Sequence, residues 1–255
     1  MHMTGDPDGP PTFVGIGIAD VGSGVHTFAA IGYALFHRGR TGIGQYIDIA
    51  MVDTLYHMHD FGLQSHSLSG GELVPTRMGH YHNQICPAGV YKAPQGWIFI
   101  LVLDRQWANM VKAMGRPELL DDPRFATGAQ RVKNAGQLNP IVQEWLLSFP
   151  ADEAAIAVLE ENRIACSPVL SVVDTMNHPH YKARNMVREV HDPILGEVTI
   201  PGFPLKFSAY PELLEGLEAP LLGQHGEQVL RDVLGYSEAN LGKLRESGVL
   251  YSDNR

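Results

Sequence analysis

The 255-residue chain has the composition of a folded protein, because 44% of its residues are hydrophobic and 18% are charged, which excludes disorder over most of its length. Its formal net charge of −9 argues against nucleic acid and anionic membranes as partners. The chain has no apolar run of the roughly 18 residues that a membrane span needs, no secretory segment after Met1, and only two cysteines, Cys86 and Cys166. We therefore expect a cytoplasmic protein with free thiols.

The first quarter of the chain predicts a strand, a helix, a second strand and a second helix. The short apolar run from Phe13 to Ala19 is consistent with a buried strand or an extended segment. Apolar residues then recur at helical spacing from Val25 to His37, and a glycine turn follows. The alternation in QYIDIAM (45–51) predicts a strand, and a second helix is expected from Val52 to His66.

The middle of the chain follows a linker at 67–79 that is rich in glycine, serine and proline. A strand is expected at Val90 and Tyr91, followed by a turn at APQG and a strong strand at WIFILVL (97–103). Helical patterns follow at residues 105–115, 130–147 and 152–162.

The last third of the chain predicts two more strands and a pair of helices. SPVLSVV (167–173) and EVTIPG (197–202) are strand-like. Two amphipathic helices are expected between Leu221 and Leu250, with Ser237 capping the second. Strands that alternate with helices predict an α/β fold, with residues 88–190 as a compact middle unit.

Several common functional motifs are absent. GIGIAD is not a dinucleotide-binding fingerprint, because Asp20 stands where the third glycine belongs. Ser23 lies in DVGSG, where a valine replaces the first glycine of a nucleophile elbow. The histidine pairs lack a third ligand at a suitable spacing, so no metal site is expected. These pairs are His57 and His59, His80 and His82, and His178 and His180.

Asp20 stands between the first apolar run and the glycine-containing start of the first predicted helix. One interpretation is structural, since aspartate is a favoured N-cap residue. The other is chemical, since free amides at a helix start stabilise an anion, and Gly22 and Gly24 let a ligand approach the backbone. A carboxylate held there is suited to attack an activated acyl group.

The segment IADVGSGVHTFAAIGYALFHRGRTGIGQYIDIAMVD (18–53) resembles the central signature of the family III CoA-transferases, the carnitine dehydratase and bile-acid-inducible protein F group. That signature is an aspartate before a glycine-containing turn, a helix and the pattern R-x-G-x-G-Q. Arg40, Gly42, Gly44 and Gln45 match the last pattern. NRIACSPVLS, HPHYKARNMV, GFPLKFS and APLLGQHGEQVLRDVLGY are similar to formyl-CoA transferase relatives, so the resemblance covers essentially the whole chain.

The resemblance implies that Asp20 is the catalytic nucleophile and that coenzyme A is a substrate, with no tightly bound cofactor. Transfer would pass through an aspartyl anhydride and an aspartyl-CoA thioester. The resemblance also implies an α/β fold with a partial Rossmann-like large domain and a smaller α+β middle domain. Residues 1–70 and 200–255 would belong to the large domain, 71–87 to a linker and active-site loop, and 88–199 to the small domain.

The loop MGHYHNQICPAG (78–89) occupies the place of the glycine-rich loop that covers the active site in formyl-CoA transferases. Its different sequence predicts an acceptor other than oxalate. Gly79, His80, His82, Asn83 and Gln84 are candidates for binding the acceptor, and they are equally well explained as ordinary polar residues of a loop.

Family chains are longer, and the resemblance implies that the N-terminal part of the CoA-binding domain is missing here. We therefore expect a homodimer or a complementing N-terminal half as partner. Two alternatives remain open. One is an α-methylacyl-CoA racemase, in which Asp20 would be half of an acid–base pair. The other is a non-catalytic subunit or remnant of the family.

Overall fold

A computed structural model describes residues 1–210 and 219–251 of the chain. Two compact units can be distinguished, Met1–Val169 and Leu170–Arg255. None of the described helices combines the length and the apolar character needed to cross a bilayer. The helices of the first unit are α1 (Ile18–Thr41), α2 (Met51–His57), α3 (Asp60–Leu68), α4 (Trp107–Met114), α5 (Glu118–Asp121), α6 (Gly128–Lys133), α7 (Ala135–Leu147) and α8 (Asp152–Glu161).

The first unit contains an antiparallel sheet of three strands, β1 (Ala88–Lys92), β2 (Trp97–Leu101) and β3 (Ala165–Pro168), in the order β1-β2-β3. Side chains alternate across β2, so that Ile98 and Ile100 are buried while Trp97 and Phe99 are exposed. One face of the sheet therefore packs into a core, which it shares with apolar residues of the helices that follow. These residues are Met110, Val111, Leu138, Val142, Leu146, Ala155 and Leu159.

Helix α1 is long and mostly exposed. It begins after Gly17 and ends at Gly42, whose φ of 75° places it in the left-handed conformation that glycine adopts at helix ends. Gly22 is its buried residue, while apolar side chains such as Val25 and Phe28 are exposed. Exposed apolar residues in a row along one helix are typical of a surface that another protein segment covers.

The second unit holds four described helices and a hairpin. They are α9 (Val172–Asn177), α10 (Pro179–Ala183), β4 (Val187–Asp192), β5 (Gly196–Pro201), α11 (Gly226–Asp232) and α12 (Glu238–Glu246). Strands β4 and β5 are antiparallel, and the Asp192 carboxylate accepts the amide hydrogens of Ile194 and Leu195 in their turn. Ser237 caps α12, as predicted, because its hydroxyl accepts the amide hydrogen of Asn240.

Two predicted strands in the first unit were wrong. Residues 13–17 form no strand and Ile18 and Ala19 already belong to α1, while residues 45–50 are irregular and Met51 begins α2. A strand needs a neighbour to pair its amides and carbonyls. Among the described residues, no other strand lies alongside either segment. Both segments therefore have the residue pattern of a strand but form no sheet hydrogen bonds among the described residues.

Two other predictions were only partly right. The helix predicted over 52–66 is divided into α2 and α3, with Met58 and His59 between them. The strand predicted over 167–173 ends at Pro168, and Ser171 then caps α9 by accepting the amide hydrogen of Asp174. The mixed α/β character was correct, although every described strand pair is antiparallel.

Candidate active site

Asp20 is the third residue of α1, and Gly17 is the residue at the N-cap position. The interpretation of Asp20 as the N-cap is therefore wrong. Its side chain is exposed, and within residues 1–210 and 219–251 no hydrogen bond or ion pair engages its carboxylate. A carboxylate in the first helical turn is favoured by the unpaired amides and the helix dipole. Asp20 thus has no partner among the described residues and lies in the first turn of α1.

Gly17 leaves room for the Asp20 carboxylate. A Cβ atom placed on Gly17 would lie 3.3 Å from Oδ2 of Asp20, which is tighter than an ordinary contact. A side chain at position 17 would therefore require the exposed carboxylate to shift by a few tenths of an ångström.

Gly22 packs against α2 rather than facing solvent. It is buried, and a Cβ atom on it would lie 2.5 Å from Cε of Met58. Beside it, the Ser23 hydroxyl donates a hydrogen bond to Oγ1 of Thr54 over 3.2 Å. Gly24, in contrast, is exposed with open space around it. The two glycines predicted to admit a ligand thus have different surroundings, and Gly22 serves helix packing.

The loop at 78–89 begins with two residues that contact neighbouring segments. Gly79 has a φ of 64° and donates its amide hydrogen to the carbonyl of Gly5 over 3.0 Å. The ring of His80 lies 5.2 Å from that of Trp97, measured between centroids. The carbonyl of His80 accepts the amide hydrogen of Val90 over 2.8 Å. Gly79 and His80 therefore hold this end of the loop to the N-terminal segment and to the sheet.

His82 and Gln84 form the next part of the loop. Nδ1 of His82 accepts the backbone amide hydrogen of Gln84 over 3.1 Å, and the His82 ring lies 5.7 Å from that of Phe61. Partial burial lowers the pKa of the His82 imidazole, because its charged form loses hydration. The side chain of Gln84 donates a hydrogen bond to Oγ of Ser65 over 2.5 Å. Both residues thus attach the loop to α3.

An open cavity of about 290 Å³ lies in front of His82 and Asn83. It is lined by Met3, Met58, His59, Phe61, Gly62, Thr76, Met78, Tyr81, His82 and Asn83. Met58 also packs on Gly22, in the same helical turn as Asp20. The structure thus brings His82 and Asn83 to one cavity, while Gly79, His80 and Gln84 make their contacts elsewhere.

A buried polar cluster behind the loop escaped the sequence analysis. Arg131 is 2% exposed and donates hydrogen bonds to the carbonyls of Cys86 and Phe125, over 3.1 and 2.9 Å. It also pairs with the carboxylate of Asp104. The amide oxygen of Asn139 accepts the Cys86 thiol over 3.4 Å. Nothing in the residue pattern distinguishes a buried arginine from an exposed one.

The part of the chain that the structure describes contains no group of three or more His, Cys, Asp or Glu side chains arranged to hold a metal ion. Cys86 and Cys166 are both free thiols.

Comparison with known proteins identifies what the chain is similar to. The sequence model of a family described as CoA-transferase family III matches residues 1–226. Over 252 residues the chain is 32% identical to a succinyl-CoA–D-citramalate CoA-transferase of Chloroflexus aurantiacus, covering 97% of this chain and 61% of that protein. Over 265 residues it is 32% identical to a formyl-CoA:oxalate CoA-transferase of Streptomyces coelicolor, covering 98% of this chain and 64% of the other.

A solved structure of the same family also resembles the chain. A CAIB/BAIF family protein from Brucella suis superposes with a TM-score of 0.69 at 30% identity, covering 91% of this chain and 59% of that one. The chain thus spans about three fifths of the length of the relatives that it matches.

Proposed function

The chain belongs to CoA-transferase family III, and on that premise we propose that it carries the nucleophile for transfer of coenzyme A from an acyl-CoA donor to a carboxylic acid. The observation that carries this proposal is the state of Asp20. Its carboxylate is exposed, has no partner among the described residues and lies in the first turn of α1. A nucleophile needs this freedom, because a carboxylate held in an ion pair attacks poorly.

The proposed reaction uses the Asp20 carboxylate twice. An oxygen of Asp20 attacks the thioester carbonyl of the donor. The C–S bond breaks, CoA leaves as a thiolate, and a mixed anhydride of Asp20 and the donor acid remains. The thiolate then attacks the aspartyl carbonyl, which releases the donor acid and leaves an aspartyl-CoA thioester. The acceptor carboxylate attacks the carbonyl of that thioester, the C–S bond breaks, and CoA leaves again as a thiolate, so that a second anhydride remains. The thiolate then attacks the acceptor acyl carbonyl of this anhydride, which forms the acceptor acyl-CoA and releases Asp20 as a free carboxylate.

Developing negative charge on the acyl oxygens needs hydrogen-bond donors nearby. The amides of Ala19 and Asp20 have no partner within the helix, whereas the Ile18 amide already donates to the carbonyl of Ile16 over 2.9 Å. This arrangement supports a role for the helix start in stabilising each tetrahedral intermediate. Gly24 leaves open space on the same helix, which supports its assignment to the CoA side of the site.

His82 and Asn83 are the loop residues best placed to contact the acyl group or the acceptor. They line the same cavity as Met58, which packs on Gly22 of α1. Gly79, His80 and Gln84 support the loop from behind through their contacts with Gly5, Trp97 and Ser65. In this proposal the loop binds the acid and α1 carries the chemistry.

The partner of the chain is also a proposal. The exposed apolar residues of α1, among them Val25 and Phe28, support association with a second polypeptide, either another copy or one that supplies the rest of the family fold. The assignment of residues 1–70 and 200–255 to one large domain belongs to the same proposal. The two free thiols and the use of CoA support a cytoplasmic location. Light scattering of the purified chain would show whether it associates with itself.

The proposed chemistry can be tested by mass spectrometry. The chain is incubated with a set of acyl-CoA donors, quenched, digested and searched for a CoA thioester or a hydroxylamine-trapped derivative at Asp20. Asp20→Asn should abolish the adduct, whereas Asp53→Asn, which removes an exposed carboxylate from the first turn of α2, should keep it. No adduct with any donor, or an adduct that persists in Asp20→Asn, would contradict the proposal. Deuterium exchange at the α-carbon without CoA transfer would point to the racemase instead.

A further inference from the structure

The cavity beside the loop has mainly apolar walls. Met3, Met58, Phe61, Met78 and Tyr81 supply the apolar surface. The lining residues with polar side chains are Thr76, His59, His82, Asn83 and, through its hydroxyl, Tyr81. Its volume of about 290 Å³ lies at the lower end of the range for small-molecule sites, which suits a short chain rather than a nucleotide.

We propose that this cavity binds the acyl chain of the substrate acid and selects an uncharged, apolar chain over one that ends in a second carboxylate. This inference rests on the proposed function, since it names the class of acid that is transferred. It separates this chain from the relatives described above, whose names contain succinyl-CoA, citramalate or oxalate.

The walls favour an apolar chain because of the residues that form them. Three methionines contribute, and methionine side chains adapt to ligands of irregular shape because they are unbranched and polarizable. Met58 and Phe61 are 43% and 49% exposed, so this apolar surface meets solvent in the unliganded chain. Covering it with a hydrocarbon chain removes that surface from water, which favours binding.

The charges around the cavity disfavour a second carboxylate. Among the described residues that line it, none is a lysine or an arginine. Arg77 lies between Thr76 and Met78 in the sequence, but its Nε and Nη1 donate to the carbonyls of Asp6 and His2, each over 3.2 Å. Arg77 therefore holds the segment that carries Met3 in place. A carboxylate brought into the cavity would lose hydration without gaining a fixed cation.

The polar side of the cavity suits a neutral oxygen atom. Nδ1 of His82 is an acceptor for the Gln84 amide, so in the neutral imidazole the proton is on Nε2, which is left to donate. Burial lowers the pKa of this ring, which keeps it neutral at pH 7. With the amide of Asn83 beside it, His82 can bind the carbonyl or hydroxyl oxygen of an acyl chain but offers no full positive charge.

Met58 connects the cavity with the proposed chemistry. Its Cε would meet a Cβ on Gly22 at 2.5 Å, and Gly22 follows Asp20 by two residues in the same helical turn. Met58, which lines the cavity, therefore packs on the start of α1 two residues beyond the nucleophile, although residues two apart do not share a helix face.

Methyl NMR of the whole chain with ¹³C-labelled methionine tests binding without any catalysis. Hexanoate and adipate are compared as probes, because they share a six-carbon chain and differ by one carboxylate. We expect hexanoate to shift the Met58 and Met78 methyl signals, with adipate binding at least ~tenfold more weakly. Met110, fully buried in the core, is the internal control whose signal should stay in place.

A charge variant gives the converse test. Met78→Lys places an ammonium group on the cavity wall and should reduce or invert the preference for hexanoate, because adipate then gains a partner. Met78→Leu keeps an apolar side chain of similar volume and should preserve the wild-type preference. A thermal melt of each variant verifies that the chain still folds.

The outcomes separate this inference from the proposed function. Methyl shifts with hexanoate but no adduct on Asp20 would overturn the proposed chemistry and leave the cavity as an apolar-acid site. An adduct that forms faster from adipoyl-CoA than from hexanoyl-CoA would overturn the inference while keeping the chemistry. No shift at Met58 or Met78 with either acid would also overturn the inference.

Discussion

Met58, the residue that follows α2, occupies the space that a side chain on Gly22 of α1 would fill, since a Cβ atom on Gly22 would lie 2.5 Å from the Cε methyl of Met58. The sequence analysis assigned Gly22 to ligand approach, together with Gly24. The structure gives Gly22 a packing role, because a side chain at this position would meet Met58 and Thr54. The contact lies two residues beyond Asp20 in α1.

The two glycines should therefore respond differently to alanine. Gly24→Ala should raise the free energy of unfolding by about 0.5–1 kcal/mol, because alanine loses less conformational entropy than glycine when the helix forms. The open space around Gly24 accommodates the added methyl group without a clash. Gly22→Ala should raise the free energy of unfolding by less, because the Met58 methyl group must move to make room for the added methyl group. Chemical denaturation of both variants measures the difference, and repeating the pair in a Met58→Ala background should remove it. Equal gains at the two positions would contradict the packing role.

Apolar residues at helical spacing predicted two helices correctly, whether those residues are buried, as in α8, or exposed, as in α1. The segments 25–37 and 152–162 were predicted as helices, and they lie in α1 and α8. The segments 13–19 and 45–51 have the residue types of strands, yet a strand exists only beside a partner. The described part of the chain provides no such partner for either segment.

The candidate site was predictable to the extent that it depends on local sequence. Asp20 was singled out through the family signature, but its position inside the first turn of α1 was not predicted, because helical spacing was recognised only from Val25 onward. Which loop residues meet in one cavity was not predictable, because that depends on how the loop crosses α3. His82 and Asn83 face the cavity while Gln84 binds Ser65, although all three are neighbours in the sequence.

Arg131 should be important for stability even though it lies outside the proposed chemistry. Arg131→Met leaves the buried carbonyls of Cys86 and Phe125 without their donor, which should cost roughly 2–4 kcal/mol of unfolding free energy. Arg116→Met is the matched control, because Arg116 is exposed and pairs with Glu118 at the surface. Denaturant midpoints should fall clearly for the first variant and stay almost unchanged for the second. Similar denaturant midpoints for the two variants would contradict the stabilising role of Arg131.

His82 should make the stability of the chain depend on pH. Its pKa is lowered from 6.5 by burial, so the unfolded chain binds more protons than the folded chain as the pH falls below that value. The contribution of His82 to stability is thus complete above pH 6.5 and is lost as the pH falls through the folded pKa. His82→Gln should flatten the loss of stability between neutral and mildly acid pH. An imidazole titration midpoint at or above 6.5 in the folded wild type, followed by NMR, would contradict this.

The buried thiol of Cys86 should resist alkylation while the chain is folded. Cys86 is 4% exposed, and burial raises the pKa of its thiol to about 11 although Arg131 acts in the opposite direction. Relative to the ordinary value of 9.0, about a hundredfold less thiolate is then present at pH 8, and only the thiolate reacts. Cys166 is only partly buried, so iodoacetamide should label it first, and mass spectrometry of digests gives both rates. A Cys166→Ser variant isolates the slow reaction, which should become fast in denaturant. If Cys86 were labelled as fast in the native chain as in the unfolded one, the cluster of Arg131 and Asn139 around it would have to open in solution.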